Sequence, residues 1–571
     1  MADGRRKYKR TELDGKVTNR LAVVQVLGNI LFLILIGYLF YVQVLDLNDY
    51  KEKGIAIRTT DNTSVRGNIY DRNGIILATD RIFYEVYAHP DLYSEKYPPE
   101  KIATILSPIL NMPEVELITL LKSKKINTIV LKKDADRTTA QKITKLHLRA
   151  ISVGALKQRV YPQGSLASHI LGYYSNRSEN AVGIESVAND VLSDVGSPMH
   201  YERTVNGEVI FDFGTDVKNL ITKQRGKDVT LTINSAVQYI CDRELEKVIK
   251  EKNADRGAII ITDVKSGEIL AYSAYPTFDP NQFWKYPQSY TKNWSLTDVY
   301  PPGSTFKVLT VATALELGAI NESSKIPDTG RMVIDGHAIT NYDYARRPNP
   351  GMIDLVYLFE HSSNVGSANI ALMLNPSEYH AKLKDFGFGQ KTGIDLTAES
   401  VGLLPDPILW YKSRRASMGY GYGASVTAIQ MIAAVSAIAN NGVWITPHVI
   451  KYSEKESPYH VTARRVMTEE NAKTVTKLLA QSISNGKTPL NLEKYTVAAK
   501  TGTSNKHFTR GNDVYTSAIG YLPASNPKIA IYVVVDSPRT GADWGNTIAS
   551  PVFARVAEEV GTILGIEFDK R

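Results

Sequence analysis

The stretch Tyr495–Ser504, "YTVAAKTGTS", combines β-branched and small residues, and its pattern predicts a β-strand. Two further strand patterns follow, "TSAIGYLPA" at Thr516–Ala524 and "KIAIYVVVD" at Lys528–Asp536. After them comes an apolar helical pattern at Ile548–Leu564. Because short connections join strands that run in opposite directions, this segment predicts an antiparallel sheet covered by a helix.

The same sheet has a second contribution from earlier in the chain. "KDVTLTI" at Lys227–Ile233 predicts a strand, and Ser235–Asn253 predicts a helix because its apolar residues recur near a period of 3.6. Arg256–Val264 and Glu268–Tyr275 are separated by a short turn and predict a β-hairpin. A long helix-rich stretch separates these elements from the C-terminal strands. We therefore predict a mixed α+β fold, in which one mainly antiparallel sheet flanked by helices is assembled from both ends of a domain over residues 223–571.

An uncharged apolar run near the N-terminus, Leu21–Leu45, predicts a single transmembrane helix. As a helix it would be roughly 37 Å long, enough to span a bilayer with some tilt. A cleaved signal peptide is the alternative, but the run is long for one and no A-x-A-like site follows it. Residues 1–20 carry seven Lys or Arg and three Asp or Glu, so the N-terminus is predicted to be cytoplasmic and the chain after Asp46 extracytoplasmic.

The formal net charge of +8 does not indicate a nucleic-acid-binding protein. Half of this charge comes from residues 1–20, and the rest is spread thinly, without a basic stripe or a nucleic-acid motif. The one cysteine, Cys241, lies in a helical pattern and is interpreted as a packed hydrophobe. No H-E-x-x-H motif or Cys/His cluster occurs, so we expect neither a metal site nor a cofactor.

A serine followed by a lysine one helical turn later can form an activated nucleophile. The pattern S-x-x-K occurs four times, at Ser289, Ser304, Ser484 and Ser525. Only Ser304 has a favourable context, Tyr300–Gly318 or "YPPGSTFKVLTVATALELG", in which Pro-Pro-Gly precedes a strongly apolar helix. Ser304 is therefore predicted at a helix N-terminus, where free N–H groups favour developing negative charge.

Lys307 follows Ser304 by three residues and would project from the same helix face. Burial by the apolar helix would lower its pKa, as a lysine base requires. A helix cap with a snorkelling lysine is the alternative for this motif.

Two further motifs occur in pairs. Ser362-Ser363-Asn364 lies between apolar stretches, and a second S-x-N occurs at Ser178. Such residues usually cap a helix, and the functional alternative is a hydroxyl that relays protons beside an amide that holds substrate or lysine.

The triplet K-T-G also occurs twice, at Lys391–Gly393 and Lys500–Gly502. The first copy follows the glycine-rich end of a helix and is interpreted as a turn. The second lies on a strand of small residues, which another backbone can approach closely. Such a strand suits an extended peptide substrate, with a backbone N–H as oxyanion donor.

In the order S-x-x-K, S-x-N and K-T-G, the motifs at Ser304, Ser362 and Lys500 resemble those of the penicilloyl serine transferases, the penicillin-binding proteins and serine β-lactamases. The resemblance covers nearly everything after the predicted membrane helix. Segments similar to the non-catalytic module of class B penicillin-binding proteins are "VRGNIYDRNGIIL" at Val65–Leu77, "RVYPQGSLASHILGY" at Arg159–Tyr173 and "GIES" at Gly183–Ser186. Segments close to the division-specific, monofunctional subgroup are Met418–Gly442 and Ile519–Pro538.

The resemblance implies a serine acyltransferase that cross-links peptidoglycan stem peptides. Ser304 would attack the penultimate D-Ala carbonyl of a donor ending in D-Ala-D-Ala, and Lys307 would take the proton of Ser304. Ser362 would relay a proton to the departing D-Ala, while Asn364 positions Lys307 or the substrate. Lys500 would pair with the substrate carboxylate and keep the pKa of nearby lysine low by like-charge repulsion.

The strand around the second K-T-G would bind the substrate. Thr501 and Thr503 would contact the carboxylate, with Gly502 between them in the same strand, and the N–H groups of Ser304 and Thr503 would form the oxyanion hole. An amine of a second stem peptide would resolve the acyl-enzyme, whereas β-lactams would acylate Ser304 and stay. The resemblance implies no metal and no cofactor.

The expected organisation has four parts: a cytoplasmic basic tail over 1–20, a transmembrane helix over 21–45, an elongated non-catalytic pedestal of the dimerisation type over 46–222, and a penicillin-binding transpeptidase domain over 223–571. The resemblance implies a single-pass protein of a bacterial inner membrane, with its catalytic domain periplasmic, at the division septum. No glycosyltransferase module precedes the pedestal, so glycan polymerisation would come from a partner, an FtsW-like polymerase of the SEDS type, among other divisome membrane proteins. The lack of C-terminal PASTA repeats favours a Gram-negative-type envelope.

Two features of the pedestal sequence carry structural expectations. Arg66, Asp71, Arg159 and Glu185 are expected to form an internal ion-pair network. At Ala188-Asn189 the chain departs from the family, which often has an aromatic residue there, so the local packing is expected to differ.

Two other functions stay open at this point. A membrane-bound D,D-carboxypeptidase or β-lactamase would use water as acceptor, but no carboxylate motif for activating such a water is evident and a large pedestal is unexpected there. A non-enzymatic division scaffold would have no need for Lys307 or Lys500.

Overall fold

The computed structural model describes residues 13–41, 65–123, 128–175, 180–193, 202–203, 209–210, 225–506, 513–541 and 544–570. The chain forms two compact units, one of Met1–Ser64 with Val195–Arg225 and the other of Val65–Asp194 with Gly226–Arg571. The second unit therefore contains the described core of the predicted pedestal together with the predicted transpeptidase domain.

Helix α1, Leu13–Phe40, belongs to the first unit. Its Ala22–Phe40 segment has a mean hydropathy of 2.3 and is long and apolar enough to cross a membrane. Within the part of the chain that the structure describes, it is the one helix with this property. The predicted end of the apolar run, Leu45, and residues 1–12 of the basic tail lie outside the described residues.

The described pedestal residues contribute four strands to a β-sheet with helices packed against it, and two further strands that pair with each other in a separate sheet. The strands are β1 (Ile69–Tyr70), β2 (Ile76–Ala88), β3 (Ile129–Ala135), β4 (Ile151–Val160), β5 (Tyr173–Ser175) and β6 (Asn180–Val182), and the helices are α2 (Pro99–Leu110), α3 (Glu114–Leu121), α4 (Arg137–Thr144), α5 (Ser168–Leu171), α6 (Ile184–Val187) and α7 (Asn189–Leu192). The long strand β2 pairs antiparallel with both β3 and β4. Val86, Leu106, Leu117, Ile129 and Ile143 belong to a separate apolar core between these strands and helices. In the first unit, β7 (Glu202–Arg203) pairs antiparallel with β8 (Val209–Ile210).

A buried ion-pair network holds the pedestal together around Glu185. Arg66 Nη2 lies 3.0 Å from Glu185 Oε2, and Arg159 Nε lies 2.6 Å from Glu185 Oε1. Arg159 also pairs with Asp80 at 3.1 Å. Arg66 Nη1 donates to Asn189 Oδ1 at 2.8 Å, so Asn189 binds the network instead of packing an aromatic ring. Because every charge here has an opposite partner, the cost of burying them is offset.

The prediction that Asp71 belongs to this network is wrong. Asp71 Oδ1 accepts hydrogen bonds from the backbone N–H groups of Asn73 and Ile75, and Oδ2 accepts one from the N–H of Ser235. A carboxylate bonded to three backbone donors has no need of a guanidinium. Asp71 therefore fixes a pedestal turn to the start of a transpeptidase helix.

The predicted transpeptidase domain contains the remaining elements. Its strands are β9 (Val229–Thr230), β10 (Arg256–Asp263), β11 (Ile269–Tyr275), β12 (Ile326–Asp328), β13 (Arg331–Ile334), β14 (His337–Thr340), β15 (Gly351–Ile353), β16 (Val443–Ile445), β17 (Ala463–Arg465), β18 (Ala498–Asn505), β19 (Val514–Leu522) and β20 (Ile529–Asp536). Its helices are α8 (Ser235–Lys252), α9 (Gln288–Thr291), α10 (Trp294–Thr297), α11 (Lys307–Glu316), α12 (Leu355–Glu360), α13 (Asn364–Met373), α14 (Pro376–Asp385), α15 (Lys412–Gly419), α16 (Ala428–Ala439), α17 (Ser457–His460), α18 (Glu469–Asn485) and α19 (Gly545–Ile563).

The central sheet has the strand order β11-β10-β20-β19-β18 and is antiparallel throughout. Successive side chains of a strand point to opposite faces. On β20, the residues Ile531, Val533 and Val535 pack in a core with α8 and α19, whereas Ala530, Tyr532 and Val534 pack in a core with α11, α16 and α18. Both faces are covered, which confirms the predicted antiparallel sheet flanked by helices and assembled from both ends of the domain.

Strand β9 differs from the prediction for Lys227–Ile233. Only Val229–Thr230 is a strand, and it pairs parallel with β1 of the pedestal, not with the central sheet. Beyond it, the N–H of Thr232 donates to Val449 O at 2.8 Å. The apolar pattern predicted a buried segment. Its partner strand belongs to the pedestal, and local periodicity does not specify the partner of a strand.

Candidate active site

Ser304 lies in the 3₁₀ turn Gly303–Phe306, which leads directly into α11. This agrees with a position at a helix N-terminus, although the first turn is 3₁₀ and not α. Gly303 has a φ of +56°, and a Cβ there would lie 2.9 Å from Ser504 Cβ, so glycine lets the turn approach β18 closely. Ser504 Oγ donates to Pro301 O at 2.7 Å and fastens the strand to the turn.

Lys307, the first residue of α11, is fully buried. Its Nζ donates to Ser362 O at 2.5 Å, to Asn364 Oδ1 at 2.7 Å and to Ser362 Oγ at 3.2 Å. Burial is the main cause that lowers the pKa of Lys307 well below its usual value, and the positive charge of Lys500 lowers this pKa further. A lysine with a lowered pKa has a neutral fraction that can accept a proton near neutral pH.

The two roles predicted for Ser362-Ser363-Asn364 are divided between its residues. Ser363 is the helix cap: its Oγ accepts from the N–H of Gly366 at 2.8 Å and donates to Asp328 Oδ2 at 2.6 Å. Ser362 has a φ of +50°, an uncommon backbone conformation for serine. This conformation accompanies a turn in which both Ser362 and Asn364 contact Lys307.

A second layer of polar residues orients Asn364. Asn341 Nδ2 donates to both oxygens of Asp328 at 2.9 Å, and Asn341 Oδ1 accepts the N–H of Asn364 at 2.9 Å. Asn364 Nδ2 donates to Thr340 O at 2.9 Å, which leaves Asn364 Oδ1 directed at Lys307. Asp328 and Asn341 were missed by the sequence analysis, because neither stands in a recognisable motif.

Lys500 is a buried lysine on β18, the edge strand of the central sheet. Its Nζ donates to Thr501 O at 3.0 Å. Burial lowers the pKa of Lys500 to about 7. An edge strand keeps one row of backbone groups free of its neighbouring strand, so β18 can offer them to an extended ligand.

Thr503 and Gly502 shape the contact between β18 and the turn of Ser304. A Cβ at Gly303 would lie 3.1 Å from Thr503 O, so this carbonyl points toward the turn. In a strand the N–H and C=O of one residue point to the same side, and the N–H of Thr503 therefore faces the turn too. A Cβ at Gly502 would lie 2.6 Å from Ser517 Oγ and 3.0 Å from Thr305 Cγ2, so a larger residue there would force these side chains to shift.

A cleft of about 740 Å³ gathers the predicted site residues. Seven of the eight line it: Ser304, Ser362, Asn364, Lys500, Thr501, Gly502 and Thr503. Lys307 lies behind this lining and is reached through Ser362 and Asn364. The arrangement places a hydroxyl, a buried amine of lowered pKa, a second lysine and an open strand edge around one cavity, which is what acyl transfer to a serine requires.

The other K-T-G copy is part of a turn. Lys391 is exposed and is absent from the cleft lining among the described residues. Glu399 Oε1 accepts from the N–H and the Oγ1 of Thr392, both at 2.6 Å, and Glu399 Oε2 accepts from the N–H of Gly393 at 3.2 Å. Gly393 has a φ of +82°. These contacts give the first copy a structural explanation.

The remaining S-x-x-K serines lie outside the cleft lining. Ser289, Ser484 and Ser525 are all exposed, and Ser525 Oγ donates to Asp569 Oδ2 at 2.5 Å. The second S-x-N serine, Ser178, lies outside the described residues.

Several further residues that sequence reasoning missed line the cleft. The aromatic rings of Tyr342 and Trp544 have centroids 6.0 Å apart. Other newly identified side chains of the lining include Asp343, Arg346, Arg347, Glu360, His361, Tyr422, Lys487, Thr488, Asn546 and Thr547. They come from separate parts of the chain, including the end of α12 and the start of α19, so no single motif marks them.

Metal-ligating residue types do not cluster in the described part of the chain. No group of three or more His, Cys, Asp or Glu side chains there could hold a metal ion. Cys241 is buried in the core between α8 and the central sheet.

Comparison with known proteins adds independent observations. Residues 257–558 match the family model described as the penicillin binding protein transpeptidase domain, and residues 61–231 match that of the penicillin-binding protein dimerisation domain. Stage V sporulation protein D of Bacillus subtilis is 31% identical over 96% of this chain and 86% of its own length. Peptidoglycan D,D-transpeptidase FtsI of Escherichia coli is 28% identical over 94% of this chain and 90% of its own length. The crystal structure of a peptidoglycan synthetase from Bifidobacterium adolescentis superposes with a TM-score of 0.65 at 26% identity, covering 89% of this chain and 97% of that one.

Proposed function

The chain belongs to the class B penicillin-binding proteins and is a peptidoglycan D,D-transpeptidase, and we propose that Ser304 is its acylated nucleophile. One observation carries this proposal: the buried Lys307, held by Ser362 and Asn364, lies beneath the cleft that Ser304 and Lys500 line. Enzymes of this family act on peptidoglycan stem peptides and bind β-lactams.

In the proposed acylation step, neutral Lys307 takes the proton of Ser304 Oγ. The alkoxide attacks the carbonyl carbon of the penultimate D-Ala, and the N–H groups of Ser304 and Thr503 stabilise the developing oxyanion. Lys500, when charged, pairs with the terminal carboxylate of the donor, and Thr501 and Thr503 offer hydroxyl donors beside it.

In the proposed transfer step, the terminal D-Ala leaves with a proton that reaches it through Ser362. The amine of a second stem peptide then attacks the ester on Ser304, forms the cross-link and releases the serine. A β-lactam acylates Ser304 in the same way, but its opened ring stays attached and blocks entry of the amine.

Hydrolysis of the acyl-enzyme, instead of transfer to an amine, is the main alternative to the proposed reaction. A D,D-carboxypeptidase would pass the acyl group to water. The two carboxylates that line the cleft each have a side-chain neighbour: Asp343 pairs with Arg347 at 3.1 Å, and Glu360 Oε1 lies 3.8 Å from Nε2 of His361, whose pKa is lowered mainly by burial. We therefore favour an amine acceptor. Incubation of the full-length protein with a donor and an acceptor stem peptide tests this, because a transpeptidase yields a cross-linked dimer whereas a carboxypeptidase yields only shortened donor.

We also propose a septal role, with an FtsW-like polymerase and other divisome membrane proteins as partners. The FtsI relative and the single N-terminal apolar helix support a membrane-anchored division enzyme. A sporulation role, as in the name of the Bacillus subtilis relative, is the second candidate. Midcell localisation of a fluorescent fusion in vegetatively dividing cells supports the septal role, and a uniform envelope signal contradicts it.

The proposed topology has the N-terminus in the cytoplasm and both large domains outside, with a pedestal up to residue 222 and the transpeptidase domain from residue 223. We expect a Val115→Cys variant to react with a membrane-impermeant maleimide on intact spheroplasts, because Val115 is 77% exposed. Native Cys241 is buried and should give little background. An Ala2→Cys variant is the matched control and should react only after lysis. If the Val115→Cys variant reacted only after lysis, this result would indicate the opposite topology.

The two K-T-G copies should differ in their effect on acylation. We expect Lys500→Ala to slow acylation by a labelled penicillin by about ten- to a hundredfold, because a charge-assisted contact to the carboxylate contributes roughly 1.5–3 kcal/mol. Lys391→Ala removes an exposed charge and should leave the rate within about twofold of wild type. The acylation rate and the thermal midpoint are measured for both variants. Equal rates in the two variants would show that the strand copy has no special role.

A further inference from the structure

The cleft has two ends that differ in chemistry. At one end, Tyr422 OH accepts a hydrogen bond from the N–H of Asn505 at 3.0 Å, so this end lies beside the C-terminal end of β18. The other end lies beside Lys500, near the start of β18, together with the loop that follows α18. In that loop, a Cβ at Gly486 would lie 4.0 Å from Glu360 Cγ, which places the residues just before Ser362 at the same end.

The end beside Lys500 is basic. Three cationic side chains of the cleft lining, Arg346, Arg347 and Lys487, are called here the basic end, and they outnumber the two carboxylates of the lining, Asp343 and Glu360. Arg347 is engaged by Asp343 at 3.1 Å and by the ring of His361. By contrast, the side chains of Arg346 and Lys487 form no ion pair with any of the residues whose structure is described. Both residues are exposed, so their charges are available to a ligand.

The polarity of the donor follows from the proposed function, on which this inference rests. If Lys500 pairs with the terminal carboxylate, the departing D-Ala lies at the basic end and the acyl part extends toward Tyr422. Beyond Tyr422 a second groove of about 710 Å³ continues, so the acyl part has room there. The D-Ala amine leaves the carbonyl carbon on the side of the basic end. An incoming amine attacks the same carbon from that side, because its addition is the geometric reverse of the departure of the D-Ala amine.

We propose that the basic end is the binding site for the acceptor stem peptide. The chemical class that it selects is a peptide with free carboxylates and a primary amine. Arg346 and Lys487 pair with the carboxylates, and the amine is thereby placed over Ser362 and the ester on Ser304.

The same cations also favour the reactive form of the amine. A primary amine is an ammonium ion in solution at neutral pH, and nearby positive charge lowers its pKa, so that a larger fraction is neutral. The neutral nitrogen attacks the carbonyl carbon of the ester on Ser304. A C–N bond forms, the C–Oγ bond breaks, and one amine proton passes through Lys307 to Ser304 Oγ.

The test uses the full-length protein, a small thioester donor that acylates it, and a synthetic stem peptide acceptor with free carboxylates. We expect the Arg346→Glu/Lys487→Glu variant to require at least about tenfold more acceptor for half-maximal transfer, because two attractive charges become repulsive. Its rate of acylation by labelled penicillin, measured in parallel, should fall by a clearly smaller factor, because Lys500 still pairs with the carboxylate of the penicillin. Arg331→Glu, an exposed change on β13 outside the cleft lining, is the matched control and should alter neither quantity.

A second acceptor, with its carboxylates converted to carboxamides, separates charge recognition from structural damage. We expect wild type to bind it more weakly, and the double variant to show no further loss relative to wild type. An unchanged acceptor dependence in the double variant, or an equal loss with both acceptors, would overturn the inference. Failure of the proposed function would look different, since wild-type protein itself would then form no transfer product with either acceptor.

Discussion

Full-length protein carrying Ser304→Ala should form no covalent adduct with a labelled penicillin and no cross-linked product. The variant lacks the hydroxyl that becomes the ester, so acylation should fall by more than about 10⁴-fold. Ser304 is only partly buried, and its Oγ makes no hydrogen bond to the described residues, so its removal should cost little stability. We expect the thermal midpoint to stay within about 2 °C of wild type.

Ser484→Ala is the control for this result. Ser484 belongs to another S-x-x-K sequence, is exposed and is absent from the cleft lining among the described residues. It should label at the wild-type rate. Retained labelling in Ser304→Ala, measured by gel fluorescence and intact-protein mass, would mean that another serine is the nucleophile.

Removal of the amine at Lys307 should have the next largest effect. We expect Lys307→Ala to acylate about 10²- to 10⁴-fold more slowly, because a positioned general base contributes about that factor. The side chain is fully buried, so alanine also leaves a cavity. Lys307→Met fills most of that volume without a base and should lose the same rate. Wild-type acylation in the methionine variant would show that Lys307 is not the base.

The pH dependence of acylation provides a further check on Lys307. Its pKa is lowered, and the neutral form is the base, so the rate should rise with pH as Lys307 loses its proton. Lys500 must be protonated to pair with a carboxylate, and its pKa is about 7, so the rate should fall again above about pH 7. The expected profile is a bell, and Lys500→Ala should abolish its alkaline limb.

The central sheet was predictable because its strands are runs of β-branched, aromatic and small residues. Strands β18, β19 and β20 follow one another with short connections, and this pattern fixes antiparallel pairing. The pairing of β9 with the pedestal was not predictable, because a two-residue strand carries no periodicity and its partner lies far away in sequence. Asp71 was assigned to the ion-pair network as a charged residue expected to be buried, yet its oxygens accept hydrogen bonds from backbone N–H groups.

The site residues were predictable where the surrounding sequence distinguished one copy of a repeated motif from the other copies. An apolar helix after Ser304, and small residues before Lys500, pointed to the copies that the structure brings to one cleft. The layer that orients Asn364 was not predictable, because Asp328 and Asn341 come from separate segments and meet only in the folded chain. The basic end also escaped notice, since its cations stand in ordinary polar loops.

The most direct test of the central claim is the location of the penicillin adduct. Wild-type full-length protein is incubated with a labelled penicillin and digested, and the modified peptide is identified by mass. We predict one adduct, on the peptide that contains Ser304, because this hydroxyl alone among the S-x-x-K serines shares a cleft with Ser362 and Lys500 in the described structure. An adduct on the peptide of Ser289, Ser484 or Ser525, or no adduct on a folded protein, would contradict the account.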